Sequence, residues 1–139
     1  MKFAAALITS LIFTSACATA QEARDPAVLD AEASAEDLIG QWDVSLFFSP
    51  NAPPSKTVLV IESVEDGVVT GSFYASPFLA ARAIVRDGDV LFTATTEDGS
   101  GTYITQGGLK DGEIDGTTFA LGRDFLMAWL AVPMDGVNE

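Results

Sequence analysis

Arg86-Asp87-Gly88-Asp89-Val90-Leu91-Phe92-Thr93-Ala94-Thr95-Thr96-Glu97-Asp98-Gly99 is the stretch on which the fold turns. Between two Asp-Gly pairs, Val90, Phe92 and Ala94 alternate with Thr93 and Thr95, the period-two pattern of a strand with one apolar and one polar face. Asp and Gly both tolerate the positive φ that two-residue hairpin turns require. The segment therefore predicts a strand at Val90–Thr96 with a tight turn on either side.

The same punctuation recurs outward in both directions. Asp-Gly also stands at 66–67, 111–112, 115–116 and 135–136, and the runs between these pairs are short and rich in β-branched and aromatic residues. Pro77 divides the widest interval into two strands at a further corner. Eight strands are expected, at Gln41–Phe48, Lys56–Ser63, Val68–Tyr74, Leu79–Val85, Val90–Thr96, Thr102–Gln106, Glu113–Leu121 and Asp124–Val132. Pro50, Pro53 and Pro54 forbid a regular strand between the first two and predict a stiff exposed loop.

Alternation also assigns faces. Trp42, Val44, Leu46 and Phe48 form one side of the first strand, opposite Asp43 and Ser45. In the last strand Phe125, Met127, Trp129 and Ala131 oppose Leu126, Ala128, Leu130 and Val132, so both faces are apolar. A two-sided apolar strand is covered outside or pairs with another subunit, and Phe125–Val132 is the candidate homodimer contact. Eight short strands with few long connections favour an antiparallel up-and-down barrel over a sandwich, because a closed barrel leaves no free edges.

Upstream, Ser34-Ala35-Glu36-Asp37 has the spacing of a capping box and predicts a short N-terminal helical turn, with Leu38 and Ile39 as its apolar contacts. Gln21–Ser34 is rich in Ala, Glu and Asp and reads as a flexible acidic leader. Met1–Ala20 combines Lys2, the apolar run Phe3–Phe13, and Ala18-Thr19-Ala20 before Gln21, the three-part layout of a secretory signal. The apolar run is shorter than the roughly 20 residues that span a bilayer, so no integral span is expected. Thr14-Ser15-Ala16-Cys17 partly matches a lipoprotein signal, giving anchoring through Cys17 as the alternative to a soluble periplasmic or secreted form. The expected organisation is signal peptide 1–20, leader 21–37, barrel 38–134 and tail 135–139.

Composition closes several functions. The chain has 139 residues, 20 acidic and 7 basic side chains, no His and a single Cys. Loss of the signal would leave it without cysteine. Ser-His-Asp and Cys-His catalysis, thiolate or imidazole zinc sites and intrachain disulfides are thereby excluded. A net charge of −13 opposes nucleic acid as a partner. Asp111-x-Glu113-x-Asp115-Gly116 imitates the first half of an EF-hand loop, but Gly122 occupies the twelfth position and the flanks read as strands, so no metal site is expected. No cofactor is expected either. Paired carboxylates are the only catalytic device left, and the acids sit beside turn glycines without forming a recognisable pair.

Three motifs carry a family resemblance. Gly40-Gln41-Trp42 resembles the Gly-x-Trp opening of the calycins, the lipocalin, fatty-acid-binding and avidin group. Glu65-Asp66-Gly67-Val68-Val69-Thr70-Gly71-Ser72-Phe73 and Gly112-Glu113-Ile114-Asp115-Gly116-Thr117-Thr118 are similar to hairpins of bacterial lipocalin-like barrels, and Trp129 sits where their closing strand often carries Trp. The resemblance implies a calycin-like barrel with Trp42 closing its base and Gly40, Gly71 and Gly116 in structural roles. The late Arg that lipocalins stack on the first Trp is missing, as are the tryptophans of a biotin site, so the resemblance implies the fold and no particular ligand.

Candidate ligand contacts are Tyr74, Phe92, Tyr103 and Trp129, aromatic residues suited to a barrel interior, and Arg82. Arg82 and Arg86 share a face with Ile84, opposite Leu79, Ala81, Ala83 and Val85. With the apolar face inward both arginines are external; with the register reversed, Arg82 anchors a ligand carboxylate inside. The sequence thus suggests an exported, non-catalytic barrel that binds a small apolar or amphipathic molecule. A protein-interaction module, such as an inhibitor of a secreted enzyme using the leader or the proline loop 49–55, is the first alternative. A lipocalin-like enzyme is the second.

Overall fold

Alternating inward and outward side chains close this chain into a cylinder. The computed structural model describes residues 32–135. The expected signal Met1–Ala20 with Cys17, leader residues 21–31 and tail residues 136–139 lie outside the described residues. Nine strands follow one another: β1 Gly40–Phe47, β2 Ser55–Glu65, β3 Val68–Phe73, β4 Ser76–Pro77, β5 Ala80–Arg86, β6 Asp89–Asp98, β7 Gly101–Lys110, β8 Glu113–Ala120 and β9 Phe125–Pro133. Eight of them form a closed antiparallel barrel in sequence order, as the hairpin pattern predicts, and β4 is a two-residue addition beside β3. Closure comes from β1 against β9, with Trp42 opposite Pro133 and Leu46 opposite Trp129. The thinnest seam is β3–β5, with the single pair Val68–Arg82 and the Ala83 N–H donating to the Gly67 carbonyl at 2.9 Å.

The up-and-down path places three hairpins at one end: Asp66-Gly67, Asp87-Gly88 and Asp111-Gly112. All six residues have positive φ, from 49° to 86°, which gives the primed two-residue turn that matches strand twist. The other Asp-Gly pairs behave differently. Asp98 closes β6, and the positive φ at that corner falls on Gly101. Asp115-Gly116 lies inside β8. The corner assigned to Pro77 falls earlier, at Tyr74-Ala75, which adopt φ of 53° and 62°. Pro77 itself belongs to β4, paired with Ser72. The expected strand to Leu121 stops at Ala120, because Leu121–Arg123 winds into a 3-10 turn and Asp124 takes a left-handed conformation before β9.

The hairpin end is corked. Ser34 and Asp37 form the expected capping box on the 3-10 turn Ala35–Leu38. This drives Leu38, fully buried, into the barrel base, whereas Ile39 stays exposed. The Trp42 indole N–H donates to the Leu38 carbonyl at 2.9 Å, tying cork to wall. Above them Val44, Leu59, Ile61, Val90, Phe92, Ile114, Trp129 and Ala131 fill the interior. A buried Trp, Leu or Ile withdrawn from water contributes roughly 1.5–3 kcal/mol, so this half carries most of the apolar stabilisation.

Two glycines make that packing fit. A Cβ on Gly116 would fall inside the Trp129 indole, and one on Gly107 would press on Trp129 and Ile114. Gly71, with φ of 154°, lies where a Cβ would overlap the Val60 carbonyl, next to the β2 irregularity at Ile61–Ser63. Gly40, with φ of 144°, opens β1 in open space.

Candidate functional site

At the other end the barrel is not filled. The loop after β1, the Tyr74-Ala75 corner, the β6–β7 turn and the 3-10 turn before β9 surround a cavity of about 290 Å³. Its wall is mostly apolar, from Leu46, Phe73 and Met127 with the buried Thr96 among them, and Phe48, Tyr74 and Ser76 stand towards the rim. A second lobe of about 370 Å³ extends towards Ala120 and Phe125 and shares Phe48, Tyr103, Thr118, Arg123 and Met127 with the first. Phe48 and Phe125 stack across this rim with centroids 6.1 Å apart. Volumes of this order lie at the lower end of small-molecule sites.

The floor is a small polar layer on an aromatic base. Thr118 Oγ1 accepts from the Trp129 indole N–H at 3.1 Å and is 2.9 Å from Thr105 Oγ1. All three residues are buried, and the bonds satisfy an indole N–H that would otherwise be stranded beneath the cavity. Phe73 and Phe92 pack on Trp129 at 5.5 and 6.4 Å between centroids. The cup is therefore greasy on its wall and offers a hydroxyl at its base.

The rim carries an ordered chain of polar groups. Ser100 Oγ–H donates to Asp98 Oδ1 at 2.8 Å, and the Ser100 backbone N–H donates to the same oxygen at 2.7 Å. With its one proton committed, Ser100 Oγ must accept from the Tyr103 hydroxyl 3.0 Å away. Tyr103 Oη in turn accepts from Arg123 Nη2 at 2.8 Å. Arg123, Tyr103, Ser100 and Asp98 thus form one hydrogen-bonded chain along the rim. The Ser100 hydroxyl, then its backbone N–H, with smaller help from Tyr103 and Gly101, hold the Asp98 carboxyl below its ordinary value. Arg123 also lies over the Tyr103 ring, 5.6 Å from its centroid.

The sequence-derived contacts separate into three layers. Tyr74 and Tyr103 line the cavity. Trp129 and Phe92 lie one layer beneath, in the packed core, and Trp129 reaches the cavity only through Thr118. Arg82 stands exposed on the outer face, since Ala81 and Ala83 point inward and the reversed register does not occur. Trp42 is buried at the base, with its indole N–H on the Leu38 carbonyl. Arg123, Asp98, Ser100 and Thr118 were not singled out by sequence. The only signal for Arg123 was Gly122, a break between two apolar runs. Glu113 and Asp115 of the EF-hand-like run are exposed, outward-facing residues of β8. The outer face of β9 leaves Leu126 exposed and Leu130 and Val132 half-buried. Among the described residues, no helix is long and apolar enough to cross a membrane.

No protein-family model matches the chain, and no curated protein shows significant similarity to it.

Proposed function

We propose that this chain is an exported, non-catalytic carrier or sensor of one small amphipathic molecule, bound in the cup at the open end of the barrel. The observation that carries the reading is the division of the interior. The half beneath Thr118 is packed solid around Trp129, whereas the half above it is an apolar-walled cavity with a polar rim and a hydroxyl in its floor. Cavities that mix apolar walls with a few converging polar groups are the usual form of ligand sites. The signal layout of Met1–Ala20 supports export, and the barrel with an indole-tied base supports kinship with the calycins.

Native mass spectrometry of protein isolated from its own host tests the reading. The expected result is an added small-molecule mass at one per chain, lost when Met127→Trp fills the cup. Calorimetric titration with octanol provides a defined probe, with binding to the native protein and none to the filled variant. Absence of any bound mass together with no octanol binding would overturn the proposal.

A further inference from the structure

We infer that the ligand of the cup is uncharged and carries a hydrogen-bond-accepting oxygen, a carbonyl, buried against the hydroxyls of Thr96 and Thr118. The inference rests on the reading of the cup as a ligand site and names its chemistry. The polar layer beneath the cavity holds one more proton than its own bonds consume. The Trp129 indole, Thr105 and Thr118 bring one donor proton each, and two hydrogen bonds join them. The proton left over belongs to Thr105 or to Thr118. Thr105 is fully buried and is not part of the cavity lining, where a stranded hydroxyl proton would be costly, so Thr105 donates to Thr118. Thr118 then accepts twice, and its own proton is left for the cavity that it lines.

Thr96 adds a second free donor. It continues the inward series Val90, Phe92 and Ala94 of β6 and is only 3% exposed. Every described side-chain oxygen or nitrogen sealed away from water has a hydrogen-bond partner. The Thr96 hydroxyl has none among the described residues, so it is not sealed, and it opens into the cavity that Thr96 lines. Two such hydroxyls call for an acceptor atom on the guest, and a charged one fits poorly. The charged side chains that line the lobes are Asp98 and Arg123, opposite in sign, exposed, and joined to each other through Ser100 and Tyr103. Below them an ion would lose its water and find no counter-charge, whereas a neutral carbonyl loses far less and regains a hydrogen bond. The ligand therefore enters oxygen first, with its hydrocarbon body against Leu46, Phe73 and Met127.

Titration calorimetry with cyclooctanone and methylenecyclooctane, in which a methylene stands where the ketone has its oxygen, tests the inference. The native protein is expected to bind both. Thr96→Val combined with Thr118→Val removes both donors at nearly constant volume. This double variant should weaken cyclooctanone about fivefold, the scale of one net hydrogen bond, and leave methylenecyclooctane as it was. Thr95→Val, on the outer face of the same strand, should leave cyclooctanone binding intact. The infrared carbonyl band of cyclooctanone bound to the native protein needs no variant, and it should lie at lower frequency than in hexane. Cyclooctanecarboxylate at neutral pH should bind more weakly than the ketone. An unshifted carbonyl band would overturn the inference alone. So would a ketone affinity unmoved by the double variant, or a carboxylate that binds more tightly than the ketone. Failure of both neutral ring probes and of octanol to bind the native protein would remove the inference together with the site beneath it.

Discussion

The two ends of this barrel are built from the same strands and by opposite rules. At the corked end all three hairpins are Asp-Gly, residues that accept positive φ with little strain, and a continuous cluster of buried apolar side chains occupies the interior. At the open end the equivalent two-residue corner is Tyr74-Ala75, which holds the same backbone conformation with side chains that resist it. A left-handed residue with a Cβ costs roughly 1–2 kcal/mol relative to glycine or a well-placed Asp or Asn. The corner that departs from the local rule is the one whose Tyr lines the cavity. Strain retained at one place in an otherwise consistent fold marks a position held for something other than stability.

The contrast can be broken most forcefully at the aromatic base. Trp129→Ala removes a fully buried indole and is expected to lower unfolding free energy by about 3–5 kcal/mol. Met127→Ala, two residues away on the same face but at the cavity wall, should lose about 1 kcal/mol, because the side chain is already half in contact with open space. Urea unfolding of the two variants compares the halves directly. Similar losses would mean that the cup is as tightly packed as the base.

A smaller effect sharpens the comparison of corners. Ala75→Gly should stabilise the protein by about 1 kcal/mol, whereas Gly88→Ala at a corked-end hairpin should destabilise it by a similar amount. No atom lies within 4 Å of a Cβ built at Gly88, so that loss reports backbone conformation alone. Thermal midpoints moving in opposite directions are the expected result, and a destabilising Ala75→Gly would show that the Tyr74-Ala75 corner is not strained.

The smallest effect is electrostatic and disappears in acid. Hydrogen bonds from Ser100 lower the Asp98 pKa, so its contribution to stability is complete above the unfolded carboxylate value and disappears as pH falls through the depressed folded value. Ser100→Ala is expected to return the Asp98 pKa towards the ordinary carboxylate range in a carboxyl NMR titration. The accompanying loss of stability should be small, present at neutral pH, and absent once acid has protonated Asp98 in both folded and unfolded chains. An unmoved Asp98 titration would break the rim chain at its first link.

How much of this was legible in the chain follows the same division. Alternation gave the strand at Val90–Thr96 with its inward face, Phe125–Val132 read as a strand apolar on both faces, and Asp-Gly gave the corked-end hairpins, because those signals are local. The glycine of Asp115-Gly116 looked like another turn, since a glycine needed to admit the Trp129 ring is indistinguishable in sequence from one needed for positive φ. Tyr74-Ala75 gave no turn signal at all, being neither Gly, Asn nor Asp. Arg123 was hidden in a three-residue 3-10 turn between two runs that read as abutting strands. Its role at the rim depends on Tyr103 and Ser100, two strand-ends away, and such a meeting has no one-dimensional trace. Arg82 stood out in the sequence for its place among apolar residues, yet the alternation of Ala81 and Ala83 turns it outward.

Both tryptophans of the chain are buried, and they occupy opposite stations, Trp42 against the cork and Trp129 under the cup. Trp129 is hydrogen-bonded to Thr118, the hydroxyl that any molecule reaching the bottom of the cup would touch. Its ultraviolet emission should therefore change colour on occupancy, while that of Trp42 changes only when the whole barrel melts. Should the proposed ligand seat there, one indole would signal the guest and the other the vessel.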